Sequence, residues 1–190
     1  TPALSSAASD VYKRQPVLLA GSDVLPSLSS GAVDAAEWIC PAADLGAGLY
    51  QAAKYYYGPG WHEPSTLLDL SMDLASWEKL DSATQGLIDD MTKSFNMTVF
   101  SRFQAANGPA LQKLLGEHNV QLKQFPDEVL IALGNAAGEV VSERGSINSE
   151  TKGICNHLLS FRKNIMDWST KGESEFARIR NLSFKYPDSV

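Results

Sequence analysis

Apolar positions along this chain follow two regimes. Up to about residue 73 they come as short runs and alternations punctuated by Gly, Pro and Ser; beyond it they recur every three or four residues over long stretches. In the first regime, Pro16-Val17-Leu18-Leu19-Ala20 before Gly21 predicts a short buried strand. Ser22 and Asp23 supply capping oxygens for a short helix that stops at Gly31, a residue suited to the position after a helix end. Residues 33–38 predict a second short strand, and residues 41–54 a helix with Pro41 at its start. Residues 54–63, rich in Tyr, Gly and Pro, predict loop or irregular extended chain. The alternation of Leu68, Leu70 and Met72 predicts a strand over 66–72.

In the second regime, Ser82 is placed to cap a long helix with the stripe Ile88, Met91, Phe95, Val99 and Phe103. Asn107-Gly108-Pro109 predicts its end, followed by a short helix over 110–117 and a strand over 120–125. Pro126-Asp127 opens a further helix with Val129, Leu133, Ala136 and Val140 on one side, and residues 145–148 form a turn. One long helix is predicted over 149–179. Its apolar residues Ile154, Leu158, Phe161, Ile165 and Trp168 step by four, three, four and three, a 3.5-residue seam. That seam fits an amphipathic helix packed on its own domain equally well as a helix packed on a second chain. Gly172 costs roughly 1 kcal/mol against Ala inside a helix and marks a candidate bend. The whole reads as α/β. Its strands are too few to complete a sheet comfortably, as expected of part of a longer protein.

Composition narrows the function classes. The 190 residues include 16 Lys+Arg and 22 Asp+Glu, for a net charge of −6; 44% are apolar and 20% charged. This is a globular balance without the basic stripe of a nucleic-acid groove. No apolar run approaches the ~20 residues that span a bilayer. Cys40 and Cys155 stand far apart, which excludes a disulfide scaffold and a zinc ribbon. His62 adjoins Glu63 but lacks the spacing of a zinc-binding His-Glu-x-x-His helix. No nucleophile–base pair or phosphate loop appears, so the chain reads as a non-enzyme. Two competitors are a glycosidase-like site using the carboxylate pair Glu37 and Glu63, and a helical protein-interaction module over 82–180 with no small ligand.

Residues 1–15 differ from the rest. The chain starts at Thr1, is small and polar to Asp10, and continues Asp10-Val11-Tyr12-Lys13-Arg14-Gln15. That hexapeptide resembles the translation of a sequencing-library transposon adapter, so native sequence is expected to begin near Pro16. An ordinary disordered tail is the competing reading.

Two segments carry the most information. The first is Gly31-Ala32-Val33-Asp34-Ala35-Ala36-Glu37-Trp38-Ile39-Cys40-Pro41; the second is Tyr55-Tyr56-Tyr57-Gly58-Pro59-Gly60-Trp61-His62-Glu63-Pro64. Together, with 26 residues from Glu37 to Glu63, they resemble the solute-binding (DctP-type) subunits of TRAP transporters, in the branch that binds 2-oxo acids. The similarity runs on through Phe161-Arg162 to Trp168. It implies the C-terminal part of a two-lobed periplasmic-binding-protein-like fold, over 16–190.

The same resemblance implies roles. Glu37 would give a carboxylate oxygen, and Trp38 its backbone carbonyl, to a bound Na⁺ or Ca²⁺. The Trp38 ring would flank the ligand, and Glu63 would touch it. Trp61 fits a ligand contact and a core aromatic about equally. Two like charges at about 4 Å cost about 4 kcal/mol at an effective dielectric near ~20, and a bridging hard cation removes that cost. The ligand would be a 2-oxo or 2-hydroxy monocarboxylate, captured in the periplasm and passed to the membrane permease subunits. Some members of the branch dimerise by exchanging a C-terminal helix. The family's substrate-binding Arg and cation-binding Gln would lie upstream of Pro16; Arg102 and Arg162 do not take their place. Where the family commonly has Gly, this chain has Cys40, whose side chain is expected to crowd the loop.

Overall fold

A computed structural model describes residues 16–61, 69–185 and 187. The adapter-like segment, Glu63, and the first three residues of the strand expected over 66–72 lie outside the described residues. The chain divides into two compact units, one ending at Ile131 and the other starting at Ala132.

The first unit opens with helix α1, Gly21–Ser30, which ends on Gly31 at φ 74°, the left-handed turn anticipated there. Its start is capped by Ala20, without a side-chain bond from Ser22 or Asp23. Helix α2 (Pro41–Gly46) and a 3-10 turn (Leu49–Gln51) replace the single helix expected over 41–54. Gly48, at φ 72°, divides them, because a left-handed residue cannot propagate an α-helix. Strand β1, Tyr55–Gly58, stands where irregular chain was expected. Three successive tyrosines favour extended backbone, and a parallel partner completes the ladder. That partner is β2, Gln121–Gln124, in register from Tyr55 opposite Gln121 to Gly58 opposite Gln124.

Parallel strands need a long crossover, and helices α3 (Leu74–Trp77) and α4 (Ser82–Gly116) lie along it. Asp81, not Ser82, caps α4, accepting from the Thr84 N–H at 2.8 Å. Asn107-Gly108-Pro109 does not end α4; the helix runs through for 35 residues. An interior proline costs about 3 kcal/mol, but the most buried side chains of α4, Ala110 and Leu114, lie just beyond it. Their burial and the packing of α4 on α2 outweigh the lost hydrogen bond. The stripe upstream is not core: Met91 and Phe95 are exposed.

Neither early strand forms. Leu18 in the 16–20 run is 93% exposed. Over 33–38 no ladder is made: at its start the N–H groups of Ala32 and Val33 donate to the Ser27 carbonyl at 2.9 and 3.3 Å. No strand is formed at 69–72 either.

Helix α5, Asp127–Gly145, starts in the first unit and continues into the second. It buries Leu133 and Ala136 and half-buries Val129 and Val140, as its pattern predicts. The helix expected over 149–179 is divided at Gly172 into α6, Ser149–Lys171, and α7, Glu173–Arg180. Asn148 caps α6 in a reciprocal box with Thr151. The seam on α6 is open, with Leu158 51% and Trp168 65% exposed. Residues 82–180 are not a self-contained module: β2 takes its only strand partner among the described residues from β1, and Asn107 caps α2.

Candidate functional site

The loop 34–38, which carries Glu37 and Trp38, is irregular in backbone but fixed at both ends. Upstream, the Gly31 turn and the two N–H donations to Ser27 tie it to α1. Downstream, the N–H of Ile39 donates to Asp44 Oδ1 at 3.2 Å. The N–H of Asp44 returns to the Cys40 carbonyl at 2.8 Å, and the N–H of Ala42 donates to Asn107 Oδ1 at 3.1 Å. The open N-terminus of α2 is thus satisfied by a side chain 65 residues away, which resolves an otherwise orphaned donor.

Glu37 is exposed in this loop and Trp38 is half-buried. The Trp38 indole lies against Gly21 at the start of α1; a Cβ there would sit 2.7 Å from Cη2. The Cη2 edge of the ring therefore belongs to packing. Trp61 is half-buried three residues beyond Gly58, past the cis Gly58–Pro59 bond. Cys40 has φ −168° and ψ 166°, extended backbone open to any residue, so a side chain there needs no special backbone conformation.

Asp44 carries no mark in the sequence, and Tyr56 stands in the tyrosine run without a role of its own. Asp44 is buried and has both oxygens bonded, Oδ1 by Ile39 and Oδ2 by the Tyr56 hydroxyl at 2.5 Å. A buried carboxylate is tolerable only when so satisfied. Burial pushes the Tyr56 phenol well above its ordinary range; the Asp44 hydrogen bond and the negative charge of Asp44 push the same way. The strand alternation explains the choice of tyrosine. Tyr55 and Tyr57 face outward, with Lys123 over the Tyr55 ring and Phe125 5.1 Å from the Tyr57 ring. Tyr56 alone faces the other way. That signal becomes readable only once 55–58 is recognised as a strand.

Donor chemistry at the loop suits a hard cation better than a transition metal. Among the described residues no cluster of three His, Cys, Asp or Glu gathers for a metal. Glu37 and the Trp38 backbone offer carboxylate and carbonyl oxygen instead, the ligand types of Na⁺ and Ca²⁺. Two such donors do not by themselves fill a coordination shell. Among the described residues no helix is long and apolar enough to cross a membrane.

Comparison with known proteins converges on one family. Residues 3–146 match the bacterial extracellular solute-binding proteins, family 7 (DctP). Over 166 residues, 87% of the chain, it is 31% identical to the monocarboxylate 2-oxoacid-binding periplasmic protein of Nostoc sp., covering 45% of that protein. A TRAP transporter solute-binding protein from Bordetella bronchiseptica, a mixed-occupancy dimer with copurified calcium and picolinate in the bound site, superposes with TM-score 0.80 and 28% identity. That match covers 91% of this chain and 52% of the other. A TRAP periplasmic solute-binding protein from Colwellia psychrerythraea, with bound calcium and pyruvate, gives TM-score 0.82 and 27% identity, covering 93% of this chain and 54% of the other. The chain therefore spans about half the length of the relatives it matches.

Proposed function

Because this chain belongs to the bacterial extracellular solute-binding proteins of family 7, we propose that it forms part of the periplasmic solute-binding subunit of a TRAP transporter. The intact protein binds a 2-oxo or 2-hydroxy monocarboxylate together with Ca²⁺ or Na⁺ and hands it to the membrane permease. The observation that carries this reading is the Glu37–Trp38 pair, held in a loop tied at both ends, in a chain 31% identical to a 2-oxoacid-binding protein.

In this reading Glu37 and the Trp38 carbonyl hold the cation, Glu63 contacts the organic acid, and Trp61 lines the pocket. The cation cancels the repulsion between the ligand carboxylate and the two glutamates. The fixed loop lowers the ordering cost of binding, since its backbone is already held before ligand arrives. The role is binding and delivery, without turnover. Two observations favour association of two copies through α6: the exposed seam at Leu158 and Phe161, and the dimeric Bordetella relative.

The test is calorimetric titration of pyruvate into the intact protein, before and after chelation of divalent ions in a sodium-free buffer, and with Ca²⁺ or Na⁺ restored singly. Expected is saturable binding that is lost when both ions are removed and regained with one of them. No heat with pyruvate, lactate or longer 2-oxo acids under any ionic condition overturns the proposal.

A further inference from the structure

The Asp44–Tyr56 pair sits next to the candidate site without belonging to it. Asp44 lies in α2, on the first turn after the loop; Tyr56 lies in the middle of β1. One carboxylate joins the two elements to the loop: Oδ1 takes the Ile39 N–H at 3.2 Å and Oδ2 takes the Tyr56 hydroxyl at 2.5 Å. Ile39 directly follows Trp38, so the hydrogen-bonded N–H belongs to the same peptide group as the Trp38 carbonyl. A peptide group is planar, with its N–H and C=O pointing in opposite directions. Fixing where the Ile39 N–H points therefore fixes where the Trp38 carbonyl points.

Among the described residues that carbonyl accepts no backbone hydrogen bond. By the planarity of the peptide it faces away from the Asp44 carboxylate.

From this we infer that Asp44 and Tyr56 are positioning residues for the cation: Asp44 orients the Trp38–Ile39 peptide plane, and Tyr56 holds the Asp44 carboxylate in the rotamer that does so. The inference rests on the assignment of the Trp38 carbonyl as a cation ligand. It adds that cation affinity is set by a pair, Asp44 buried and Tyr56 half-buried, that touches neither cation nor organic acid. Coordination distances for a hard cation are tight, and a rotated peptide plane withdraws its oxygen. Loss of the pair should thus weaken the cation first, and the organic acid only through it.

The variant of choice is Tyr56→Phe in the intact protein, which keeps the ring and removes the hydroxyl. Asp44→Asn is the second variant; it keeps the volume and one acceptor oxygen. For each, the Ca²⁺ concentration giving half-maximal pyruvate binding is measured by titration, then the pyruvate Kd at saturating Ca²⁺. The expected result is a five- to tenfold rise in the Ca²⁺ midpoint, with the pyruvate Kd at saturating Ca²⁺ within twofold of the parent. A purely structural pair would lower the melting temperature and leave the Ca²⁺ midpoint of the folded protein unchanged. That outcome in Tyr56→Phe, or in Asp44→Asn should the first variant not fold, overturns the inference. If the parent protein binds pyruvate with no cation dependence, the assignment of the cation ligands fails instead.

Discussion

The indole of Trp38 rests on Gly21, so close that a methyl group on Gly21 would stand 2.7 Å from the ring's Cη2. A tryptophan of the candidate site is thus packed against the first residue of α1, and the site's aromatic wall inherits its position from a glycine 17 residues upstream.

Gly21→Ala tests that contact. On propensity alone the change favours a helix, by up to roughly 1 kcal/mol. The clash with Trp38 opposes it. Thermal melting should show the variant less stable than the parent, with an altered Trp fluorescence maximum. A variant that melts higher with unchanged fluorescence would mean the ring gives way at no cost.

Glu37→Gln and Glu63→Gln should separate the two glutamates by role. On the proposed roles, Glu37→Gln takes a charged oxygen away from the cation, so the cation concentration needed for half-maximal pyruvate binding should rise about tenfold or more. Replacing Glu63 should alter pyruvate affinity at saturating cation and leave the cation midpoint nearly in place. Equal effects of both variants on both measurements would remove the division of labour.

Tyr56 predicts a pH dependence at the alkaline end. Its folded-state pKa lies above the unfolded value near ~10, chiefly because it is buried and next because it bonds Asp44. The neutral phenol is therefore favoured by folding. This contribution is complete below about pH 10 and falls away as pH rises beyond it toward the folded value. Denaturant melts of parent and Tyr56→Phe across pH 8–11 (a range set by that ~10 value) should converge at the top, the parent losing more. Parallel curves would show that the phenol does not titrate differently on folding.

Asn148→Ala removes the cap of α6, which accepts the Thr151 N–H at 2.9 Å. The expected cost is about 1 kcal/mol in urea unfolding. Asn148→Asp should retain most of the stability, because an aspartate accepts the same N–H and adds charge that suits a helix N-terminus.

Leu158→Asp with Phe161→Asp addresses self-association. Both side chains are more than half exposed, so a folded monomer should tolerate them. Light scattering on the intact protein should fall from dimer to monomer mass, with circular dichroism unchanged. A parent protein that is already monomeric, or a variant of unchanged mass, removes α6 as the contact.

Helices were easier to read from this chain than strands, for a local reason. Helix α5 satisfies its hydrogen bonds within itself, so the period of Val129, Leu133, Ala136 and Val140 suffices to place it. The end of α1 at Gly31 and the turn before α6 are equally local. The failures turned on partners outside the segment. Residues 33–38 look like a strand in isolation, but the Val33 N–H goes to Ser27 and the N–H of the next residue after the segment, Ile39, goes to Asp44. Residues 55–58 look irregular, but β2 lies alongside more than 60 residues later.

The motif residues divide on the same line. Glu37, Trp38, Trp61 and Glu63 are visible in sequence because their order and spacing resemble one family's pattern, and family membership is what that pattern delivers. Gly21, Asp44 and Asn107 carry no such mark, and the run Tyr55-Tyr56-Tyr57 does not tell which tyrosine turns inward. Their roles come from approach across the fold: a ring on a glycine, a carboxylate between a loop and a strand, an amide on a helix end. Short-range periodicity and side-chain chemistry are properties of the chain itself. Which buried polar group satisfies which orphaned donor is decided only when the elements pack, because desolvation then forces every polar atom to find a partner.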